Sequence, residues 1–331
     1  MTAVLVISAA LVSYMLAGLA RWVAVRYGII DQPNQRSSHR VPTPRGGGIG
    51  IVIAVLAAAA LQVSHGRVGL AVLVGGGAVA AIGWVDDVRT LSARLRFGIQ
   101  SAAALFAVAL VGPTASAAFP GSTALVWVVS VIFIVWMTNL YNFMDGIDGL
   151  AATEAFIAFG AAALLLYERA PQLGMVAAAA SASSGAFLLW NWSPARIFMG
   201  DVGSGFLGFV FGVLALASEV QKAVPIEAWI VLLAVFIVDA TATLIRRVLQ
   251  GERWYSAHRT HAYQVAAQAS DHARVTTAVA LINLLLAGVV LYCARSGIDM
   301  GLPLAGTVTA LLLVWHRIVR RSQPSGLSDQ G

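Results

Sequence analysis

Four residues in the stretch NLYNFMDGIDGLA could do chemistry: Asn139, Asn142, Asp145 and Asp148, spaced three apart. Residues at that spacing are neighbours on a helical surface, and Gly146 and Gly149 allow the backbone to unwind beside the acids. Amide and carboxylate oxygens are hard donors, a set that suits Mg²⁺ rather than a soft metal. Helix capping and turn formation account for one such aspartate, not for all four residues.

Five further segments carry similar potential. Asp86 and Asp87 stand side by side in GWVDDVRTLSARLRF, at the end of an apolar run. Adjacent carboxylates there repel each other and lose hydration, so they need a metal or cationic partners to stay ionised together. Arg89, Arg94 and Arg96 are the structural alternative. Gly200, Asp201, Val202, Gly203 and Ser204 open another apolar run, with Arg196 just upstream. A carboxylate at a glycine-rich helix start can hold a metal while nearby amides take phosphate oxygens; simple N-capping by Asp201 is the alternative. Arg45 followed by Gly46, Gly47 and Gly48 would let backbone N–H groups approach a phosphate, or would form a flexible turn. In HRTHAYQ, His258 and His261 flank Arg259. With no cysteine cluster and no HExxH, this fits a diphosphate ligand better than a zinc pair. Asp239 lies inside an apolar run, where a carboxylate is either functional or paired, here with Arg246 or Arg247.

The elements that must position these residues are membrane helices. Of 331 residues 59% are hydrophobic and 11% charged, with mean hydropathy +0.81. A soluble domain carries about 25% charged residues. The fold class expected is an all-α polytopic membrane protein with about eleven spans, at 3–25, 47–64, 69–85, 97–117, 123–140, 151–167, 174–190, 204–218, 226–245, 275–294 and 301–319. The span at 204–218 is short and glycine-rich, the weakest of the set. Residues 1–331 read as one integral membrane domain, with motifs between 31 and 264 and a polar tail at 321–331. The first span lacks a basic leader and a cleavage site and reads as retained.

Basic residues set the orientation. With the N-terminus outside and the C-terminus inside, the inner segments hold sixteen: Arg26, Arg36, Arg40, Arg45, Arg89, Arg94, Arg96, Arg196, Arg246, Arg247, Arg253, Arg259, Arg274, Arg317, Arg320 and Arg321. The outer segments hold four: Arg67, Arg169, Lys222 and Arg295. This orientation puts Asp86, Asp87, Asp145, Asp148, Asp201, His258 and His261 at the cytoplasmic face. Net charge +6 then reflects topology and anionic lipid or substrate rather than nucleic acid. Cys293 alone excludes an internal disulfide and reads as a small hydrophobe.

The ordered motifs PTPRGGG, DDVRTLSARLR, NLYNFMDGIDGLA, PARIFMGDVGSGFLG and HRTHAYQ together resemble the polyprenyl-phosphate N-acetylhexosamine-1-phosphate transferases. That superfamily includes the phospho-MurNAc-pentapeptide translocase. HRTHAYQ looks most like the O-antigen-initiating, WbpL-like branch, because the translocase has a run of histidines there. The resemblance implies a bacterial inner-membrane enzyme that moves a sugar-1-phosphate from a UDP-N-acetylhexosamine to undecaprenyl phosphate, releasing UMP, with Mg²⁺ (or Mn²⁺ in its place). It implies Asp201 as principal metal ligand, with Asn142 and Asp145 near metal and nucleotide. Asp86 and Asp87 correspond to an acidic pair assigned either to the metal or to deprotonating the lipid phosphate, and Asp148 belongs to the same cluster. His258 and His261 match a loop thought to hold the diphosphate or sugar. Asn139, Arg45, Gly46, Gly47, Arg196, Gly203, Ser204 and Arg259 are the remaining substrate-binding candidates, and a homodimer is left open. The rival reading is a lipid-linked-sugar transporter or flippase without transferase activity, which would put polar residues at mid-membrane depth with access from both faces.

Overall fold

The computed structural model describes residues 2–33, 38–39, 41–113, 123–252 and 259–321. His258, together with Arg36, Arg40 and Arg253 and the tail beyond residue 321, lies outside them. The chain is an all-α polytopic membrane protein, apart from a two-stranded ribbon pairing β1 (Ile30–Asp31) with β2 (Thr43–Pro44) in antiparallel register. Helix α1 (Thr2–Tyr27) precedes the ribbon. After it come α2 (Ile49–Ala60), then α3 (Arg67–Leu70) and α4 (Gly77–Val88), joined by a π-helical stretch at Ala71–Gly76. They are followed by α5 (Ala93–Val111), α6 (Thr123–Phe143), α7 (Leu150–Arg169), α8 (Pro171–Asn191) and α9 (Asp201–Val220). The last five are α10 (Ile226–Leu232), α11 (Ala234–Leu249), α12 (Ala262–Ala269), α13 (His272–Ser296) and α14 (Gly301–Arg321).

Each of the eleven expected spans falls on helix, with three departures, one being that α5 ends at Val111 and residues 114–117 of the span expected at 97–117 lie outside the described residues. Among the described residues nine helical stretches are long and apolar enough to cross a membrane. The stretch expected at 47–64 is shorter, α2 ending before a 3₁₀ turn at Val63–His65. The one expected at 226–245 is broken at Leu233, where α10 and α11 meet at 81°.

The glycine-rich segment read as the weakest span is the centre of the bundle. Helix α9 has 94% of its apolar window buried inside the protein, as befits a helix that is hydrophobic on all sides. Lipid gives no hydrophobic drive between helices, so close packing through small residues must hold them. A Cβ on Gly203 would lie 2.8 Å from the Cα of Gly48, and one on Gly212 3.2 Å from the Cα of Ile134. Gly75 and Gly76 likewise seat the rings of Phe209 and Phe206.

One polar pair sits deep among these helices. Glu154 of α7 is fully buried and accepts a hydrogen bond from the side-chain amide of Asn283 on α13. A buried polar group without a partner costs about 1–3 kcal/mol. Asn283→Leu is therefore expected to lower stability by about that amount, measured by thermal unfolding in detergent. Glu154→Gln, which keeps a side-chain acceptor, should change it little; equal losses in the two variants would mean that packing alone holds the seam.

Candidate active site

The first residues of α9 are held by an aspartate from another helix. Asp87, at the end of α4, accepts the backbone N–H of Asp201 at 3.0 Å and that of Val202 at 3.1 Å. Helix N-termini present unpaired N–H groups and positive potential, so a carboxylate there is stabilising. Two glycines make the approach possible. A Cβ on Gly83 would stand 2.5 Å from the Asp201 carbonyl oxygen, and Gly200 has φ +78° and ψ 169°, a conformation open almost only to glycine. A Cβ on Gly200 would also land on the Asp87 carboxylate.

Asp86 points elsewhere, since consecutive helical residues do not share a face. It accepts the Leu91 N–H at 2.6 Å and Arg96 Nη1 at 2.7 Å. The same Nη1 lies 3.0 Å from Asp201 Oδ2. One guanidinium thus bridges carboxylates of α4 and α9.

The acid loop between α6 and α7 completes the cluster. Ser204 of α9 donates to Asn142 Oδ1 at 3.2 Å. Asp145 is half-buried, and its carboxyl is pushed well above the usual carboxylate range by burial, then by the negative charges of Asp201, Asp87 and Asp148. Burial pushes Asp148 up as well, yet it ends below the usual range. The hydrogen bond and charge of His272 on α13, the Ala195 N–H and the Ser193 hydroxyl outweigh that burial. Tyr263 of α12 donates its hydroxyl to the Phe143 carbonyl at 3.0 Å, tying α12 to this loop. Burial and the charges of Asp239 and Asp145 raise its phenol well above the ordinary value, so it stays a donor.

Two adjoining cavities open from this cluster. The first, about 360 Å³, is lined by Arg45, Asp87, Asn142, Asp145, Asp148 and Asp201 among others. The second, about 820 Å³, is lined by neutral polar groups including Thr43, Ser193, Gln264, Gln268 and Ser270, with Asp148, Asp271 and Arg259 as its charged groups. Sequence reasoning missed Gln264, Asn191, His39 and His272 on these walls. None of them stands in a motif of repeated acids or glycines, and a lone polar residue carries no signal of its own.

Several candidates take structural positions instead. Gly47 and Gly48 donate their N–H groups to the carbonyls of Phe198 and Met199, both at 2.9 Å, so these amides cradle no phosphate. Gly46 has φ +91° and stands against Trp84. Gly203 is a packing surface for Gly48. Asn139 donates to Gln100 and to the Val135 carbonyl and lies off both cavities. Arg196 stacks over Trp190 at 5.6 Å. Asp239 pairs with neither Arg246 nor Arg247. It accepts the Ala262 and Tyr263 N–H groups at 2.8 and 3.0 Å, capping α12, with buried His261 3.5 Å away.

Among the described residues no three His, Cys, Asp or Glu side chains already converge as a metal-ligand group. Mg²⁺ does not require one: it keeps several waters and takes one or two carboxylates plus substrate phosphates. Asp145 fits such a role. It has an all-oxygen neighbourhood with Asn142, three negative neighbours, and no ion-pair partner among the described residues.

An all-helical membrane bundle with acids gathered at the helix ends around a polar double cavity defines a class of membrane enzyme acting on charged substrates. Residues 69–219 match the family model of glycosyl transferase family 4. A probable undecaprenyl-phosphate N-acetylglucosaminyl 1-phosphate transferase of Bacillus subtilis is 32% identical over 253 residues, which is 73% of this chain and 71% of the relative. The undecaprenyl-phosphate alpha-N-acetylglucosaminyl 1-phosphate transferase of Yersinia pestis is 29% identical, over 81% of this chain and 78% of the relative. The decaprenyl-phosphate N-acetylglucosaminephosphotransferase of Mycolicibacterium smegmatis is 32% identical, over 88% and 81%. The chain belongs to this family, the polyprenyl-phosphate N-acetylhexosamine-1-phosphate transferases.

The cap on α9 has a measurable consequence. Gly200→Ala forces Asp87 off the helix end and is expected to lower turnover about a hundredfold, on the scale of losing groups that orient a metal site, while circular dichroism shows an unchanged helix content. Activity within about twofold of wild type would mean that the Asp87–Asp201 contact is dispensable.

Proposed function

We propose that this protein transfers an N-acetylhexosamine-1-phosphate from a UDP-sugar to undecaprenyl phosphate at the cytoplasmic face of the bacterial inner membrane, with release of UMP. The observation that carries this is the gathering of Asp87, Asp145, Asp201 and Asn142 from three segments around one cavity that continues into a larger, less acidic one. A nucleotide sugar fits that division, because its charged diphosphate joins two hydroxylated rings, the ribose and the sugar.

A lipid phosphate oxygen forms the new bond to the β-phosphorus of the donor, and the bond from that phosphorus to the bridging oxygen of UMP breaks. Both reactants are anions, so the site must lower their repulsion. Bound Mg²⁺ would supply charge stabilisation worth several kcal/mol, held by Asp201 and Asp145 with Asn142. Arg45, on the wall of the smaller cavity and 2.7 Å from Asp31, adds fixed positive potential. Arg96 neutralises Asp86 and Asp201. The lipid phosphate is mostly ionised near neutral pH, so a carboxylate has only a residual proton to accept.

The orientation reading is supported by charge. Arg45, Arg96, Arg196 and Arg259 lie among the segments around the site, whereas Arg169 donates to the carbonyls of Ala223 and Ala294 at the other ends of the helices. The polar chemistry gathers at one end of the bundle, which favours the transferase over a transporter. Initiation of an O-antigen or similar envelope glycan is the role such a product would serve.

Purified protein given UDP-GlcNAc, polyprenyl phosphate and Mg²⁺ is expected to release UMP and form the lipid-linked sugar, and a chelator should stop it. Asp201→Asn should lower turnover by about 10²–10³-fold with normal insertion. Full activity of that variant at equal expression would remove Asp201 from the metal site. Translocation of a preformed lipid-linked sugar without UMP release from any donor in a UDP-HexNAc panel would establish the transporter instead.

A further inference from the structure

Six residues line both cavities: Ser38, His39, Asp148, Phe198, Gln264 and His272. Among them Asp148 and His272 form a coupled pair. His272, the first residue of α13, places Nδ1 3.3 Å from Asp148 Oδ1. Asp148 is fixed in turn: its Oδ2 accepts the Ala195 N–H at 3.1 Å, and its carbonyl accepts the Thr276 hydroxyl at 2.9 Å. Both side chains are mostly enclosed, at 16% and 11% exposure.

We propose that His272 is a donor-recognition residue, whose Nε2 hydrogen-bonds a ring hydroxyl of the nucleotide sugar. The Asp148 backbone N–H also donates to His272 Nδ1 at 3.4 Å, so backbone and side chain of Asp148 both occupy that side of the imidazole. Nδ1 faces Asp148, so Nε2 is the atom left for a ligand. A hydroxyl both donates and accepts, so it can pair with Nε2 whichever ring nitrogen carries the proton. The residue also stands where the acidic cavity meets the larger, less acidic one, the boundary at which a nucleotide sugar changes from phosphate to hydroxylated ring. No motif draws attention to it; the neighbourhood of Asp148 does. The inference rests on the donor proposed above, and the hydroxyl belongs either to the ribose or to the transferred sugar.

Asparagine can imitate Nδ1 of histidine and glutamine can imitate Nε2, which separates contact with substrate from support of the fold. His272→Asn is expected to raise KM for UDP-GlcNAc about tenfold, the size of one lost hydrogen bond in a buried site. Its kcat and its KM for the lipid should stay within about twofold. His272→Gln should recover most of the loss. Thr276→Val, which cuts the other link between α13 and the loop at a residue off both cavities, should leave donor KM unchanged. If His272→Asn and Thr276→Val instead lower kcat and melting temperature together, and glutamine gives no rescue, the pair is a structural clasp and the proposal is wrong.

Calorimetric titration of UDP-GlcNAc without lipid separates the two levels of the reading. No binding to wild type would overturn the donor assignment itself. Binding to wild type and equally to His272→Asn would overturn only the role of His272. Inhibition by UMP then locates the hydroxyl: a matching loss of UMP affinity in His272→Asn assigns the ribose, and unchanged UMP inhibition with raised donor KM assigns the transferred sugar.

Discussion

The contact between Asp87 and the start of α9 is the constraint around which the site is organised. It joins a carboxylate at the end of one membrane helix to the open N–H groups of the central helix. In lipid the backbone groups at a helix end have no water to turn to unless the end reaches the interface. Satisfying them with Asp87 sets the height of α9 against α4. It thereby sets where Asp201 stands, because Asp201 is the residue being capped. Gly83 and Gly200 are the space this contact needs. A packing requirement and a chemical one are met by the same atoms.

From that contact the electrostatics follow. Asp86, Asp87, Asp145 and Asp201 crowd one region, and such a group is repulsive unless countered. The protein counters it unevenly. Asp86 and Asp201 share Arg96, Asp87 has two backbone N–H donors, and Asp148 has His272 and the Ala195 N–H. Asp145 is left to burial and to neighbours of its own sign, which is why its carboxyl rises while that of Asp148 falls. The residue left least compensated is the one where an added cation gains most.

Much of this was legible in the sequence. Membrane class, the helical run of each span and the acids that share the site follow from hydropathy and from the clustering of rare polar residues. The less legible parts share a cause: they depend on where backbone groups go. The glycines Gly46, Gly47 and Gly48 suggest a phosphate cradle. Their structural use is a backbone seam with Phe198 and Met199 and a close approach to α9. Asp239 suggests an ion pair with the arginines a turn or two away. The 81° break at Leu233 carries α11 toward α12, so the carboxylate caps a helix instead. Short glycine-rich 204–218 suggests a marginal span because hydropathy scores lipid exposure. A helix surrounded by other helices is judged by how closely it packs. His272 had no legible signal, since its meaning comes from Asp148, 124 positions earlier.

The polar groups within the bundle divide by depth, and this separates support from chemistry. Glu154 and Asn283 pair with each other one turn beyond the acid loop, between α7 and α13. The same two helices carry Asp148, beside the start of α7, and His272 and Thr276 at the start of α13. The seam therefore runs from a closed pair in the interior to an open one on the cavity wall. A closed pair can only hold helices in register, because it lies off both cavities and meets no ligand. An open pair holds the same helices and still presents one nitrogen to the cavity. Register fixed at depth by Glu154 and Asn283 is what keeps His272 opposite Asp148 at the surface of the site, so the position of a recognition group rests on a contact that no substrate reaches.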